Sequence, residues 1–123
     1  MSASVSTQQS AATEAVNEVR LVGRVSQEPQ ERVLPSGDSL WSFRIVVARP
    51  EGRSRSRAQV DAVDCCVWSG RVRRSVATWR ADDVVEVSGS VRRRFFRTAH
   101  GAAASRFEVE VRSGRLIRRA ANA

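Results

Sequence analysis

Lysine is absent from this 123-residue chain: all 21 basic side chains are arginine, against 13 acids, for a formal net charge of +8. A balance of that sign points to an anionic partner, most simply nucleic acid, although an arginine-biased surface alone would give the same figure. The arginines run from Arg20 to Arg119 rather than filling one tail, which suits a folded basic surface better than a basic disordered arm. Cysteine is limited to Cys65 and Cys66. Adjacent strand residues point to opposite faces, so the two do not suit a disulfide with each other, and a reducing compartment fits them best. His100 is the single histidine. One distant histidine and two adjacent cysteines do not make a metal-ligand spacing, and no metal or cofactor is expected. No apolar run approaches a membrane span, so no membrane partner is expected. The N-terminus lacks the basic start and apolar core of a secretory signal. Clustered carboxylates are lacking too. Asp61 and Asp64 are three apart on a strand and face opposite ways, while Asp82 and Asp83 sit in a turn. Metal-assisted or nucleophilic catalysis therefore has no constellation to work with, and the chain is read as a non-enzyme.

What is there is a series of short alternating strands. The length suits one domain with a modest core. Residues 1–16 are small and polar and read as a disordered leader. Order begins at Asn17, where Val19, Leu21, Gly23 and Val25 share one strand face. The glycine inside that strand marks a bulge or sharp bend. Pro29 ends the regular part, and Leu34-Pro35-Ser36-Gly37-Asp38 is a turn signal. In the next strand Trp41, Phe43, Ile45 and Val47 share a face, which makes Trp41 a core residue. Arg49 to Arg57 is a loop in which Arg53, Arg55 and Arg57 alternate with small residues. It serves either as a solvated connection or as a basic finger on a phosphate backbone.

The central stretch runs from Val60 to Arg97. Alternation puts Val63, Cys65 and Val67 on one face of its first strand and Asp64 and Trp68 on the other. After Ser69-Gly70, Val72, Val76 and Trp79 recur at helical spacing, predicting a short amphipathic helix that ends near Arg80 with Trp79 in the core. In the following strand Val85, Val87, Val91 and Phe95 form one face. Glu86, Ser88, Ser90, Arg92, Arg94 and Phe96 form the other. Phe95 is thus expected inside and Phe96 outside. Trp68 and Phe96 on solvated faces among arginines are suited to stacking on bases while guanidinium groups hold phosphates. The alternative is an ordinary Trp and Phe finishing a small barrel core. Past a hairpin tip at 98–104, Phe107, Val109 and Val111 are expected inward and Glu108, Glu110 and Arg112 outward. Residues 118–123 read as a frayed end.

Three strands, one helix and two strands make an all-β chain with one helix. That order predicts a five-stranded Greek-key barrel of the OB type with the helix between strands 3 and 4, spanning residues 17–117. A two-layer sandwich would fit the strand count but would leave the helix without a role.

Several segments in this order resemble the bacterial single-stranded DNA-binding protein family. They are N-E-V-R-L-V-G-R-V-S-Q-E-P from Asn17, S-G-D-S-L-W-S-F from Ser36 and C-V-W-S-G-R-V from Cys66. V-V-E-V-S-G-S-V-R-R-R-F-F from Val84 and E-V-E-V from Glu108 complete the set. The resemblance implies an OB fold that assembles, usually as a homotetramer, and binds single-stranded DNA without sequence preference in replication, repair and recombination. It implies a cytoplasmic, nucleoid-associated location. The family's stacking aromatics carry over at Trp68 and Phe96, and Arg24, Arg44, Arg53, Arg55, Arg57, Arg73, Arg92 and Arg94 are the candidate DNA-contacting cations. Ala62 and Glu51 stand where the family often has further aromatics, and Asp82-Asp83 stands where it usually has a Lys-Gly pair. Family members often end in an acidic tip that recruits partners. The last residues here include Arg115, Arg118 and Arg119 and no acid, so no partner recruited through such a tip is expected. An RNA-binding OB module and a non-catalytic structural subunit remain the alternatives.

Overall fold

Runs of valine and isoleucine at every second position give strands with one face to bury, and these close on one another. The computed structural model describes residues 14–50, 57–68 and 70–121. The first 13 residues of the expected leader, and the loop residues Glu51, Arg53 and Arg55, lie outside them. The elements are β1 (Val19–Val25), β2 (Gln30–Val33), β3 (Ser39–Ala48), β4 (Val60–Val67), α1 (Gly70–Val76), β5 (Val84–Arg97) and β6 (Ala103–Arg118). β1 pairs with β5, β5 with β6, β6 with β4 in parallel, and β4 with β3. β3 returns to β1 at Arg24↔Val46 and Val25↔Ile45 and closes the barrel.

The helix follows the fourth strand rather than the third. The extra strand is β2, which the sequence pattern left irregular because Pro29 interrupts it. Among the described residues β2 pairs with β3 alone, the strand that the end of β1 also meets. β1 and β2 are therefore two lengths of one bent strand, with the bend spanned by a hydrogen bond from Ser26 N–H to the Arg44 carbonyl (2.9 Å). Counted that way, the barrel is the five-stranded OB type with its helix between the third and fourth strands. Gly23 lies at the crossing. A Cβ there would stand 2.2 Å from the Val46 carbonyl oxygen, so only glycine lets β1 pass from β5 to β3.

The core is made of Val25, Phe43, Ile45, Cys65, Val67, Val85, Val87, Val109 and Val111, closed at one end by Val72, Val76 and Trp79. Trp41 packs against it, half-buried. Phe43 meets Trp79 edge-on, with ring centres 5.5 Å apart and planes at 88°. α1 ends at Val76, but Thr78 and Trp79 continue in tight turns, their N–H groups donating to the Ser75 and Val76 carbonyls. The indole thus stays under the barrel although it lies outside the helix.

The turn before β5 is built on two acids. Asp82 adopts a left-handed φ of 68°, a conformation Asp tolerates better than most residues, and its N–H donates to the Val25 carbonyl (2.7 Å). Asp83 is buried. Its carboxylate accepts from Arg80 N–H (2.9 Å), Ala120 N–H (2.9 Å) and the Arg119 guanidinium (2.7 Å). Arg118 is the last residue of β6, so the chain is held through Ala120 where a frayed end was expected.

Beyond the barrel, β5 and β6 continue as a two-stranded ribbon. The last wall contacts are Val19↔Gly89 and Cys65↔Val109, with the Asn17 side chain bridging the Val91 N–H and carbonyl at 2.8 Å each. Past these, among the described residues, Arg93↔Phe107, Arg94↔Arg106, Phe95↔Ser105 and Phe96↔Ala104 are strand pairs with no third strand beside them. This overturns the expectation for three residues. Phe95 and Phe107 are not core: they are 73% and 63% exposed, and Val91 is exposed as well. The alternation was right, because Phe95 and Phe96 do lie on opposite faces. The inward face simply has no barrel left to cover it. Gly89 marks where the wall ends. A register shift there leaves Arg112 as an extra residue on β6, and a Cβ on Gly89 would stand 2.0 Å from the Glu110 carbonyl oxygen.

Candidate nucleic-acid interface

One face of the ribbon and the end of β4 form a continuous surface. On β5, Arg92, Arg94 and Phe96 point the same way, opposite Glu108, Arg106 and Ala104 on β6, and Glu110 follows on the same face opposite Ser90. Trp68, one residue beyond β4, sits under the Arg94 guanidinium, whose carbon is 6.0 Å from the ring centre. Arg106 takes the same position over Phe96 at 5.9 Å. Both aromatics are partly open: Phe96 is 43% exposed and Trp68 is half-buried. Each ring keeps a guanidinium on one side, a cation–π contact that holds the plane of both groups.

The carboxylates on this face orient its cations. Arg92 Nε donates to Glu110 (3.0 Å) and Arg94 Nε donates to Glu108. The Glu108 side chain is buried, with Arg106 4.0 Å from its second oxygen. Hydrogen bonding and charge from Glu108, against a smaller effect of burial, hold the Arg94 guanidinium above its ordinary pKa. Beside this pair lies Cys66, buried on the outer side of β4 while Cys65 is buried on the inner side. Burial, reinforced by neighbouring carboxylates, pushes both thiols up to about 12, so neither is a thiolate nucleophile at neutral pH. Among the described residues no cluster of His, Cys, Asp and Glu is arranged to hold a metal ion, and no helix is long and apolar enough to cross a membrane.

Shallow clefts extend the surface. One places Trp68 beside Arg73 and Asp38, and another places it beside Arg92 and Arg94. A cleft of about 270 Å³ runs past Arg44, Asp64, Arg106 and Glu108, with Arg44 paired to Asp64 at 2.9 Å. The structure therefore brings together Trp68, Phe96, Arg44, Arg73, Arg92 and Arg94. Arg24 lies apart. It pairs with Asp82 (3.2 Å) and faces Val84, which puts it about 40 Å along β5 from Phe96. Arg57 is exposed beyond Val60, at the end of β4 far from Trp68. Ala62, in the place of a family aromatic, is exposed on β4 and adds no ring. Arg106, Glu108 and Glu110 were missed as parts of the site. The signal was available, since the alternation that puts Glu108 and Glu110 outward puts Arg106 outward with them.

A closed five-stranded barrel with a helix across its end and aromatics set among arginines on one face is an OB-fold binding module. Comparison with known proteins narrows the class. Residues 16–117 match the model of the single-strand binding protein family, and the chain belongs to that family. It is similar to the single-stranded DNA-binding protein of Oceanobacillus iheyensis, 28% identical over 86 residues, covering 70% of this chain and 53% of the relative. It is also similar to single-stranded DNA-binding protein A of Bacillus subtilis, 24% identical over 102 residues, covering 83% and 59%. The chain thus spans little more than half the length of these relatives. Among solved structures, the Plasmodium falciparum SSB in its complex with ssDNA shares the fold with a TM-score of 0.68 at 23% identity, covering 85% of this chain and 95% of that one. The mitochondrial single-stranded DNA binding protein of S. cerevisiae does so with a TM-score of 0.62 at 15% identity, covering 86% and 99%.

Proposed function

We propose that this protein binds single-stranded DNA without sequence preference and acts by binding rather than by catalysis. The observation that supports this most directly is the pairing of Trp68 with Arg94 and of Phe96 with Arg106 on one open face. Bases stack on the rings, and the guanidinium groups, already oriented by Glu108 and Glu110, meet the phosphates. The names of the relatives point the same way. On this reading the protein covers strands exposed in replication, repair or recombination at the nucleoid. It self-associates through β1, which pairs with β3 only at Arg24 and Val25 among the described residues and so leaves the edge from Val19 to Gly23 open to a second copy.

Titration of poly-dT against duplex DNA at several salt concentrations tests the reading. Poly-dT should bind far more tightly, with a log–log salt slope of about −0.7 for each phosphate neutralised. Equal affinity for duplex, or a flat salt response, overturns it. Light scattering that returned a monomer at micromolar concentration would remove self-association from the proposal.

A further inference from the structure

The ribbon has a second face whose chemistry repeats the first. Arg93, Phe95 and Arg97 alternate along β5 on the side away from Trp68, opposite Phe107, Ser105 and Ala103 on β6. The Arg93 guanidinium carbon lies between two rings, 5.3 Å from the centre of Phe95 and 5.5 Å from that of Phe107. Its Nε donates to Ser105 Oγ (3.1 Å), and Arg97 donates to the Gly101 carbonyl (2.8 Å). Neither arginine has a carboxylate partner among the described residues, in contrast to Arg92 and Arg94 across the ribbon. Phe95 and Phe107 are both more exposed than Phe96.

We propose that this reverse face is a second base-stacking site, so that single-stranded DNA engages both sides of the β5–β6 ribbon. The inference rests on the DNA-binding function proposed above and extends it to residues with no place in that site. Charge decides the occupant. Two aromatics flanking unneutralised guanidinium groups suit a ligand that brings flat rings and phosphates together. A second copy packed on the same patch by two-fold symmetry would set Arg93 and Arg97 against the same cations, with no acid among the described residues of the face to offset them. The position suits a clamp: a strand passing over the ribbon edge meets aromatics on either side, and the barrel wall blocks neither.

The experiment uses the full 123-residue chain with the double variant Phe95→Ala, Phe107→Ala, and with Phe96→Ala for comparison. Because both reverse-face rings are exposed, the double variant should melt as the parent does. Its affinity for poly-dT should fall about tenfold or more, as expected for lost stacking contacts. An oligonucleotide carrying 5-bromodeoxyuridine should photocrosslink to Phe95 or Phe107 in the parent. Parent-like poly-dT affinity in the double variant, with Phe96→Ala still weakened, overturns the second site and leaves the first standing. A drop in light-scattering mass of the double variant without DNA, at unchanged affinity, assigns the face to a second copy instead and also overturns it. If both Phe96→Ala and the double variant bind as the parent does, the inference fails and so does stacking on Phe96, whereas a parent that binds duplex as tightly as poly-dT overturns the DNA-binding reading itself.

Discussion

Arg92 and Arg94 are two positions apart on the same face of β5, and their carboxylate partners make them different residues. Arg92 reaches Glu110, whose side chain is 34% exposed, while Arg94 reaches Glu108, which is 4% exposed. Removing Arg92 leaves a carboxylate that water can solvate. Removing Arg94 strands a negative charge in a dry site beside Cys66. Arg94→Gln should therefore destabilise the fold by about 1–3 kcal/mol, the cost of leaving a buried polar group without its partner. Arg92→Gln should cost about 0–1 kcal/mol, as exposed ion pairs do. Both should weaken poly-dT binding. Urea unfolding of the two variants separates the cases, and equal losses of stability would show that Glu108 finds another partner, Arg106 being the nearest. The sequence made the shared face of Arg92, Arg94 and Phe96 legible, because alternation needs nothing beyond residue order. It could not show which glutamate was buried, nor that Phe95 and Phe107 were exposed. Those depend on how far the β5–β6 hairpin outruns the other strands, a length that no periodicity within β5 or β6 encodes.

Elements meet here through glycine. Trp79 closes the barrel end below α1 by lying against β6 at Gly114, where a Cβ would stand 2.9 Å from the indole Cη2 atom and 3.4 Å from Cζ2. Trp79 is buried on its other sides and its ring is locked edge-on to Phe43, so it has little room to give. Gly114→Ala should cost about 1–3 kcal/mol by overpacking. Gly70, at the start of α1, has nothing within 4 Å of its would-be Cβ and an ordinary negative φ. Gly70→Ala should be stabilising by about 0.4–1 kcal/mol, since it restricts the unfolded chain without a clash. Thermal melts of the pair read the contrast, and a neutral Gly114→Ala would mean that Trp79 is less firmly seated than its burial implies. The helical spacing of Val72, Val76 and Trp79 was readable from sequence, and so was the core role of the indole. Its glycine seat was not, because Gly114 falls after the irregularity at Arg112, which shifts the alternation of β6 and brings Gly114 and Leu116 inward. The same kind of interruption hid β2. Pro29 looks like an end when it is the inside of a bend, and only the pairing of β2 with β3 shows that the strand resumes.

At the scale of the whole molecule, the two ends of the β5–β6 unit serve opposite purposes. The tip projects and is open on both faces, while the base is tied shut by Asp83. That carboxylate joins the end of the helical turn at Arg80, the start of β5 and the chain beyond β6 at Arg119 and Ala120. Burial pushes the Asp83 carboxyl up, but the Ala120 and Arg80 N–H groups and the Arg119 guanidinium outweigh it and hold the group below its ordinary value. A carboxyl with a depressed folded pKa binds protons less readily in the folded state than in the unfolded one. Its contribution is fully present above the unfolded value, about 3.9, and is lost as pH falls below that and through the folded value. Asp83→Asn keeps the shape but turns an amide N–H₂ toward groups that donate. It should cost about 1.5–3 kcal/mol at pH 7, the range for hydrogen bonds to a charged group. The gap in Tm between the parent and the variant should be constant from neutral pH to about pH 5. Below about pH 4 it should begin to close, because the unfolded parent then takes up a proton that the folded Asp83 still refuses, and it should vanish once the pH has passed the depressed folded value. The variant itself should still lose stability in acid, since Glu86, hydrogen-bonded by Arg20 and Arg115, is also held below its ordinary value. Melting both proteins from pH 7 down to pH 2 distinguishes the charge of Asp83 from its shape. A gap that stays the same down to about pH 2 would assign the effect to the misplaced amide alone, whereas a gap that closes shows that one buried negative charge holds the base of the ribbon in a strongly basic molecule.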